Sequence, residues 1–185
     1  GDVVLRDFSM YFPENKIVGI VGNSGCGKSP LLSVLMGTLP PDSGTVSRDD
    51  AKISAVFQED RLCENLSVLS NLRLVLGRKA DRGALVTELE AVGLSDCADK
   101  PARELSGGMK RRTALLRALL AEYDVLFLDE PFKGLDEDTK QSVMRYTKEK
   151  TAGKTVILVT HDKSEAAFFG GQELLLPQVS GSQDI

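Results

Sequence analysis

Eight consecutive residues, Gly22-Asn23-Ser24-Gly25-Cys26-Gly27-Lys28-Ser29, carry the spacing of a phosphate-binding loop: two outer glycines with four residues between them, then Lys and Ser. Glycines let the backbone curl until successive N–H groups face one anion. A helix that starts at the end of such a loop adds its positive end to the same site. Lys28 then reaches the terminal phosphates and the Ser29 hydroxyl ligates Mg²⁺. A second cluster, Asp129-Glu130-Pro131, follows the apolar run 125–128. One carboxylate there orients the waters of the Mg²⁺ that accompanies a nucleotide, and its neighbour serves as a general base for an attacking water. Ser106-Gly107-Gly108 precedes a helical stretch, 109–122, and makes a further anion site at a helix N-terminus.

These groups need a frame that brings them together. Four short apolar runs, 17–21, 53–57, 125–128 and 156–159, lack polar alternation and read as strands covered on both faces. Helical stretches at 31–36, 84–92, 109–122 and 140–150 lie among them, so strands and helices alternate around a mainly parallel sheet. Ligands in such sheets bind beyond the carboxyl ends of the strands. The four runs lead into the glycine loop, Gln58, Asp129-Glu130 and Thr160-His161 respectively. One edge of one sheet therefore receives all of them. The leucine-rich stretch from about 63 to 104 shows no buried strand and reads as a helical lobe inserted into a core of 1–62 and 105–176. Residues 40–46, with Pro40-Pro41 and Ser43-Gly44, read as a turn into a small β region, and 177–185 as a polar tail.

Composition narrows the classes. The 185 residues fit one domain with ordinary globular chemistry, 42% hydrophobic and 27% charged. A net charge of −4 gives no basic field, so no nucleic-acid partner is expected. Lys110, Arg111 and Arg112 read as a solvated helix face. Cys26, Cys63 and Cys97 form neither a disulfide framework nor a zinc spacing and suit a reducing cytosol. No apolar run reaches the length of a membrane span, and no signal peptide is expected.

With these residues in place, the chain resembles the ATP-binding-cassette (ABC) ATPases. Leu105-Ser106-Gly107-Gly108-Met109 is similar to their signature motif, Asp129-Glu130-Pro131 to the end of their Walker B strand, and Gly134-Leu135-Asp136 to their D-loop. Gln58 resembles their Q-loop glutamine and His161, the sole histidine, their switch histidine. The resemblance runs from about residue 4 to 165. It implies an α/β fold: a RecA-like P-loop NTPase core with a mainly parallel sheet, a small antiparallel β region and an inserted helical subdomain. It implies ATP and Mg²⁺ as ligands, with Gly22 to Pro30 on the nucleotide and Ser29, Gln58 and Asp129 toward the metal. Glu130, His161 and Lys28 carry catalysis. Two subunits, alike or different, face head to tail, each offering Ser106, Gly107 and Gly108 to the other's ATP. The partner is a separate transmembrane permease, which puts the chain on the cytoplasmic face of a membrane. The stretch Gln58-Glu59-Asp60-Arg61-Leu62 is similar to the Q-loop region of nitrate and sulfonate importers. Two alternatives stand beside this: a soluble mechanical ATPase acting on DNA or ribosomes, and a weakly hydrolysing nucleotide-binding regulator. Only residues 59–104 separate Gln58 from the signature, with no heptads or Cys pairs of the kind DNA-acting relatives insert.

Two positions depart from the family pattern. Pro30 stands where Thr usually follows the P-loop Ser; it removes an N–H and a hydroxyl and disfavours helical geometry at Ser29. The aromatic ring that stacks on adenine in the family falls at or before Gly1, so either the chain is trimmed or adenine is held without it.

Overall fold

The computed structural model describes residues 8–22, 25–48 and 50–176. Asn23 and Ser24 of the glycine loop and the tail 177–185 lie outside the described residues. Among the described residues, five strands form one sheet: β1 (Ile17–Val21), β2 (Ile53–Val56), β3 (Val125–Asp129), β4 (Thr155–Thr160) and β5 (Gln172–Leu175), in the order β2-β3-β4-β1-β5. Six helices among the same residues accompany them: α1 (Lys28–Met36), α2 (Val68–Leu76), α3 (Arg82–Ala91), α4 (Gly107–Leu120), α5 (Glu137–Lys150) and α6 (Lys163–Phe169).

Both faces of the central strands are covered, which is why their sequences are apolar without interruption. Successive side chains alternate between faces. Leu126, Leu128, Val156 and Leu158 pack into the cluster that includes Leu115 and Leu116 of α4 and Val143 and Met144 of α5. Phe127, Ile157 and Val159 point the other way, onto Leu31 and Leu32 of α1. Gly19 lets α6 approach β1 closely: a Cβ there would lie 2.9 Å from that of Ala166.

The strand ends are level. In register, Val21 stands opposite Thr160, Val159 opposite Asp129, and Leu128 opposite Val56. Whatever follows each strand therefore emerges along one edge.

Two elements were not expected from the sequence, α6 and β5. The first is a seven-residue helix, and β5 is an edge strand that, among the described residues, pairs only with β1 and is largely exposed. Conversely, the antiparallel β region expected after residues 40–46 has no strand among the described residues, and every strand pair there is parallel. The antiparallel contact found among the described residues is the single bridge Ser67↔Pro101.

Residues 63–104 contain α2, α3 and two single 3₁₀ turns, with no strand among the described residues. Their core is continuous with the sheet's: Leu72, Leu89 and Leu94 belong to the same apolar cluster as Leu126 and Leu158. Asn71, fully buried on α2, organises the entry to this segment. Its Oδ1 accepts from the Cys63 N–H at 2.9 Å, and its Nδ2 donates to the carbonyls of Cys63, Leu66 and Ser67 at 3.1–3.3 Å. A buried donor left unpaired costs about 1–3 kcal/mol. Asn71→Ala is therefore expected to lower the unfolding free energy by about 2 kcal/mol, read as a lower midpoint in urea at unchanged slope.

Candidate nucleotide site

β1 delivers the glycine loop, and the loop closes on itself before α1 begins. Lys28 turns back so that Nζ donates to the Gly22 carbonyl at 2.6 Å. Gly22 has no room for a side chain, because a Cβ would lie 2.7 Å from the Cys26 sulfur. Gly27, at φ 93°, caps α1 in the left-handed region without a side-chain hydrogen bond to the helix. The first turn of α1 thus presents its N–H groups without a capping side chain, the arrangement that receives an anion.

Pro30 sits in that first turn without breaking it. The first intrahelical bond runs from Leu31 N–H to Gly27 C=O at 3.0 Å, so the N–H that proline lacks is one α1 does not use. Ser29 remains within α1 despite the preference that a following proline imposes.

β3 delivers two carboxylates into different surroundings. Asp129 ends the strand and is buried, with Oδ1 lacking a hydrogen-bond partner. Burial raises its pKa; the nearby Ser29 hydroxyl opposes that rise, Glu130 adds to it, and the Arg111 and Lys28 cations lower it. A desolvated carboxylate with an orphaned oxygen beside a Ser hydroxyl fits a hydrated divalent cation, which would relieve its burial. Glu130 leaves the strand with φ 50°, in the left-handed region. Its Oε2 lies 2.5 Å from His161 Nδ1, with the imidazole half exposed and the carboxylate mostly buried.

His161 follows β4 and is backed by a charged cluster the sequence did not flag. Lys140 of α5 bonds Asp162 and Glu165, each at 2.7 Å, and Thr160 donates to Glu165 at 2.6 Å. The hydrogen bond from Lys140 holds the Asp162 carboxyl well below the usual range.

Gln58 follows β2, with its side chain exposed and its carbonyl accepting from Arg111 at 3.3 Å. Ser106 caps α4 by accepting from Met109 N–H at 3.4 Å, which starts that helix two residues earlier than the sequence suggested. Gly108 lies against the Gly134–Leu135 loop, where a Cβ would lie 3.5 Å from the Leu135 side chain.

The basic trio 110–112 is not a solvated face. Arg111 is 4% exposed and donates to the ends of β2 and β3, Arg112 bonds the carbonyls of Val92 and Gly93, and Lys110 pairs with Glu64. At about 100° per residue, three successive positions on a helix face three directions. Because α4 lies between the sheet and α2–α3, each direction meets protein.

This geometry accords with comparison to known proteins. The family model described as ABC transporter matches residues 5–133. The chain belongs to that family. An aliphatic sulfonates import ATP-binding protein of Rhizobium johnstonii is 37% identical over 191 residues, covering 96% of this chain and 70% of that protein. A taurine import ATP-binding protein of Pseudomonas aeruginosa is 39% identical over 179 residues, covering 89% of this chain and 68% of its own. Among solved structures, an ATP-binding cassette captured as a dimer in a post-hydrolysis state with ADP and Pi superposes with a TM-score of 0.80. It shares 30% identity and covers 95% of this chain and 87% of its own. This ABC chain is an ATPase cassette with a P-loop NTPase fold.

Pro30 tests how much the first turn of α1 contributes to that activity. Pro30→Thr returns an N–H and a hydroxyl, each worth roughly 0.5–1.5 kcal/mol in such a site. ATP affinity, measured by equilibrium dialysis, is expected to tighten by about 5- to 100-fold. An unchanged affinity would mean that the loop reaches the phosphates by other donors.

Proposed function

We propose that this cassette binds ATP across Gly22 to Pro30 and cleaves its terminal phosphate with Glu130 as general base. The observation that carries this reading is the Glu130–His161 pair at 2.5 Å beside the orphaned oxygen of Asp129, on the edge that also holds Lys28. Lys28 and the first-turn N–H groups bind and neutralise the phosphates. Ser29, Gln58 and Asp129 are the residues that would hold Mg²⁺, which supplies charge neutralisation when bound. Glu130 takes a proton from the attacking water, and His161 holds that carboxylate in line and reaches toward the γ-phosphate.

In this reading Ser106, Gly107 and Gly108 act on the ATP of a second cassette, in a homodimer or heterodimer whose subunits face head to tail. The division into a core of 1–62 and 105–176 and an inserted helical lobe of about 63–104 belongs to the same proposal. A membrane permease is the further partner. Support comes from the names of the relatives, and from Leu74, Val75 and Leu76 at the carboxyl end of α2, which are 56%, 42% and 39% exposed. No helix among the described residues is long and apolar enough to cross a membrane. The cassette is accordingly peripheral, on the cytoplasmic side, and the transported class is a small sulfonate-like anion.

Glu130→Gln tests the assignment of the base. It is expected to keep ATP binding, lose most turnover and accumulate an ATP-bound dimer on a sizing column; unchanged turnover would remove Glu130 from that role.

The shared site has its own test. Lys28→Ala and Ser106→Arg subunits, mixed, form heterodimers in which one site carries both lesions and the other is intact. Mixing is expected to restore part of the activity that each mutant lacks alone. If both mutants fold and associate but every mixture stays inactive, the head-to-tail site with independent firing is wrong.

A further inference from the structure

Arg111 lies one turn into α4, nearly sealed from solvent. Its two terminal nitrogens hold different segments. Nη1 donates to the Phe57 carbonyl at 2.6 Å, the Gln58 carbonyl at 3.3 Å and the Asp60 carboxylate at 3.1 Å. Nη2 donates to the carbonyls of Asp129 at 2.9 Å and Glu130 at 2.7 Å. A guanidinium is planar and forked, so the two sets of bonds share one rigid plane. Taking that cation out of water is costly unless its donors are satisfied, and here the acceptors are concentrated on two strand ends.

The two segments it holds both contain backbone that non-glycine residues seldom adopt. Glu130 has φ 50° and Arg61 has φ 45°. The Glu130 peptide is fixed from both sides: its N–H donates to Val159 C=O at 2.9 Å, and its C=O accepts from Arg111 and from Lys133 N–H at 3.2 Å. That conformation turns the carboxylate toward His161. The loop after β2 is tied to α4 a second time, by Arg117 Nη2 to the Arg61 carbonyl at 3.0 Å, and the Arg61 guanidinium lies 3.7 Å from the centre of the Phe57 ring.

We propose that Arg111 is a positioning residue that keeps Glu130 in its left-handed conformation and joins that conformation to the 57–61 loop, so that displacement of the loop moves Glu130. This rests on reading Glu130 as the base. The loop carries the exposed side chains of Gln58 and Glu59, so a contact made there from outside the chain reaches the carboxylate through a single side chain.

The test uses Arg111→Lys in the full chain. Lysine keeps the buried charge but has one nitrogen, which cannot hold both segments. With folding verified by circular dichroism, ATP affinity by equilibrium dialysis is expected to stay within about threefold while kcat falls by about 10- to 100-fold, the scale of a misplaced catalytic group. Single-turnover rates of Glu130→Gln and of Glu130→Gln with Arg111→Lys are expected to agree within about twofold, because a residue acting through Glu130 adds nothing once that carboxylate is gone. Hydrogen exchange is expected to rise together at amides 57–61 and at those of Glu130, Phe132 and Lys133, and not in α1.

A folded Arg111→Lys with kcat within about threefold of the parent overturns the proposal, as does a further loss in the double variant beyond about fivefold. Exchange that rises in one segment alone overturns the coupling. Near-full turnover in Glu130→Gln overturns the assignment of the base, while exchange still judges the link to the loop. Should Arg111→Lys fail to fold, Asp60→Asn loosens the loop side alone. It is then expected to lower kcat several-fold at unchanged affinity in the parent and not in the Glu130→Gln background, and an equal effect in both overturns the proposal.

Discussion

Four parallel strands that end level are the constraint on which this site depends. Parallel pairing sends every strand in the same direction, and the observed register leaves no strand protruding past its neighbours by more than a residue or so. The groups after Val21, Val56, Asp129 and Thr160 emerge within a few strand spacings of one another, each spacing being about 4.8 Å. No long-range folding of loops is needed to gather them. Covering both faces with helices allows such a sheet to form, and that cover requires the central strands to be apolar throughout.

Buried charge around this edge does a second job. Lys140 with Asp162 and Glu165, and Arg111 with Asp60, lie mostly out of solvent next to His161 and Glu130. Ion pairs of this kind contribute little net stability, because removing the charges from water offsets most of their attraction. What they do provide is direction. Lys140 fixes the residues just after His161, and Arg111 fixes the peptide of Glu130. The segments that follow β3 and β4 are therefore both held from behind by cations on helices.

The parallel sheet, and the candidate residues that its strand ends gather on one edge, were legible because they depend on local signals. Uninterrupted apolar runs report strands covered on both faces, and the glycine spacing around Lys28 reports a loop that only a curled backbone satisfies. Residues whose role depends on a distant neighbour were not. Arg111 and Arg112 look like any exposed basic pair in a helix, and only the packing of α4 between sheet and helices buries one and turns the other onto Gly93. Lys140 carried no signal either, since its partners lie more than 20 residues away. β5 was hidden because an edge strand with one neighbour has no need of an apolar sequence. The small antiparallel region expected after 40–46 shows no strand among the described residues, and the turn signal at Pro40–Pro41 by itself specifies no pairing partner.

Asp129 and Glu130 show how one backbone step separates two carboxylates with the same chemistry. Asp129 keeps strand geometry, so its side chain stays inside, where burial raises its pKa and one oxygen lacks a partner. Such a group is stabilised in its ionised form by a cation. Glu130 switches to φ 50°, which swings its carboxylate toward the half-exposed His161. Had Glu130 continued the strand, alternation would have placed it on the opposite face of the sheet from Asp129. On the proposed reading, the left-handed turn is what allows adjacent residues to serve one site in two roles, and the bonds from Glu130 N–H to Val159 C=O and from Arg111 to Glu130 C=O offset the strain of that conformation.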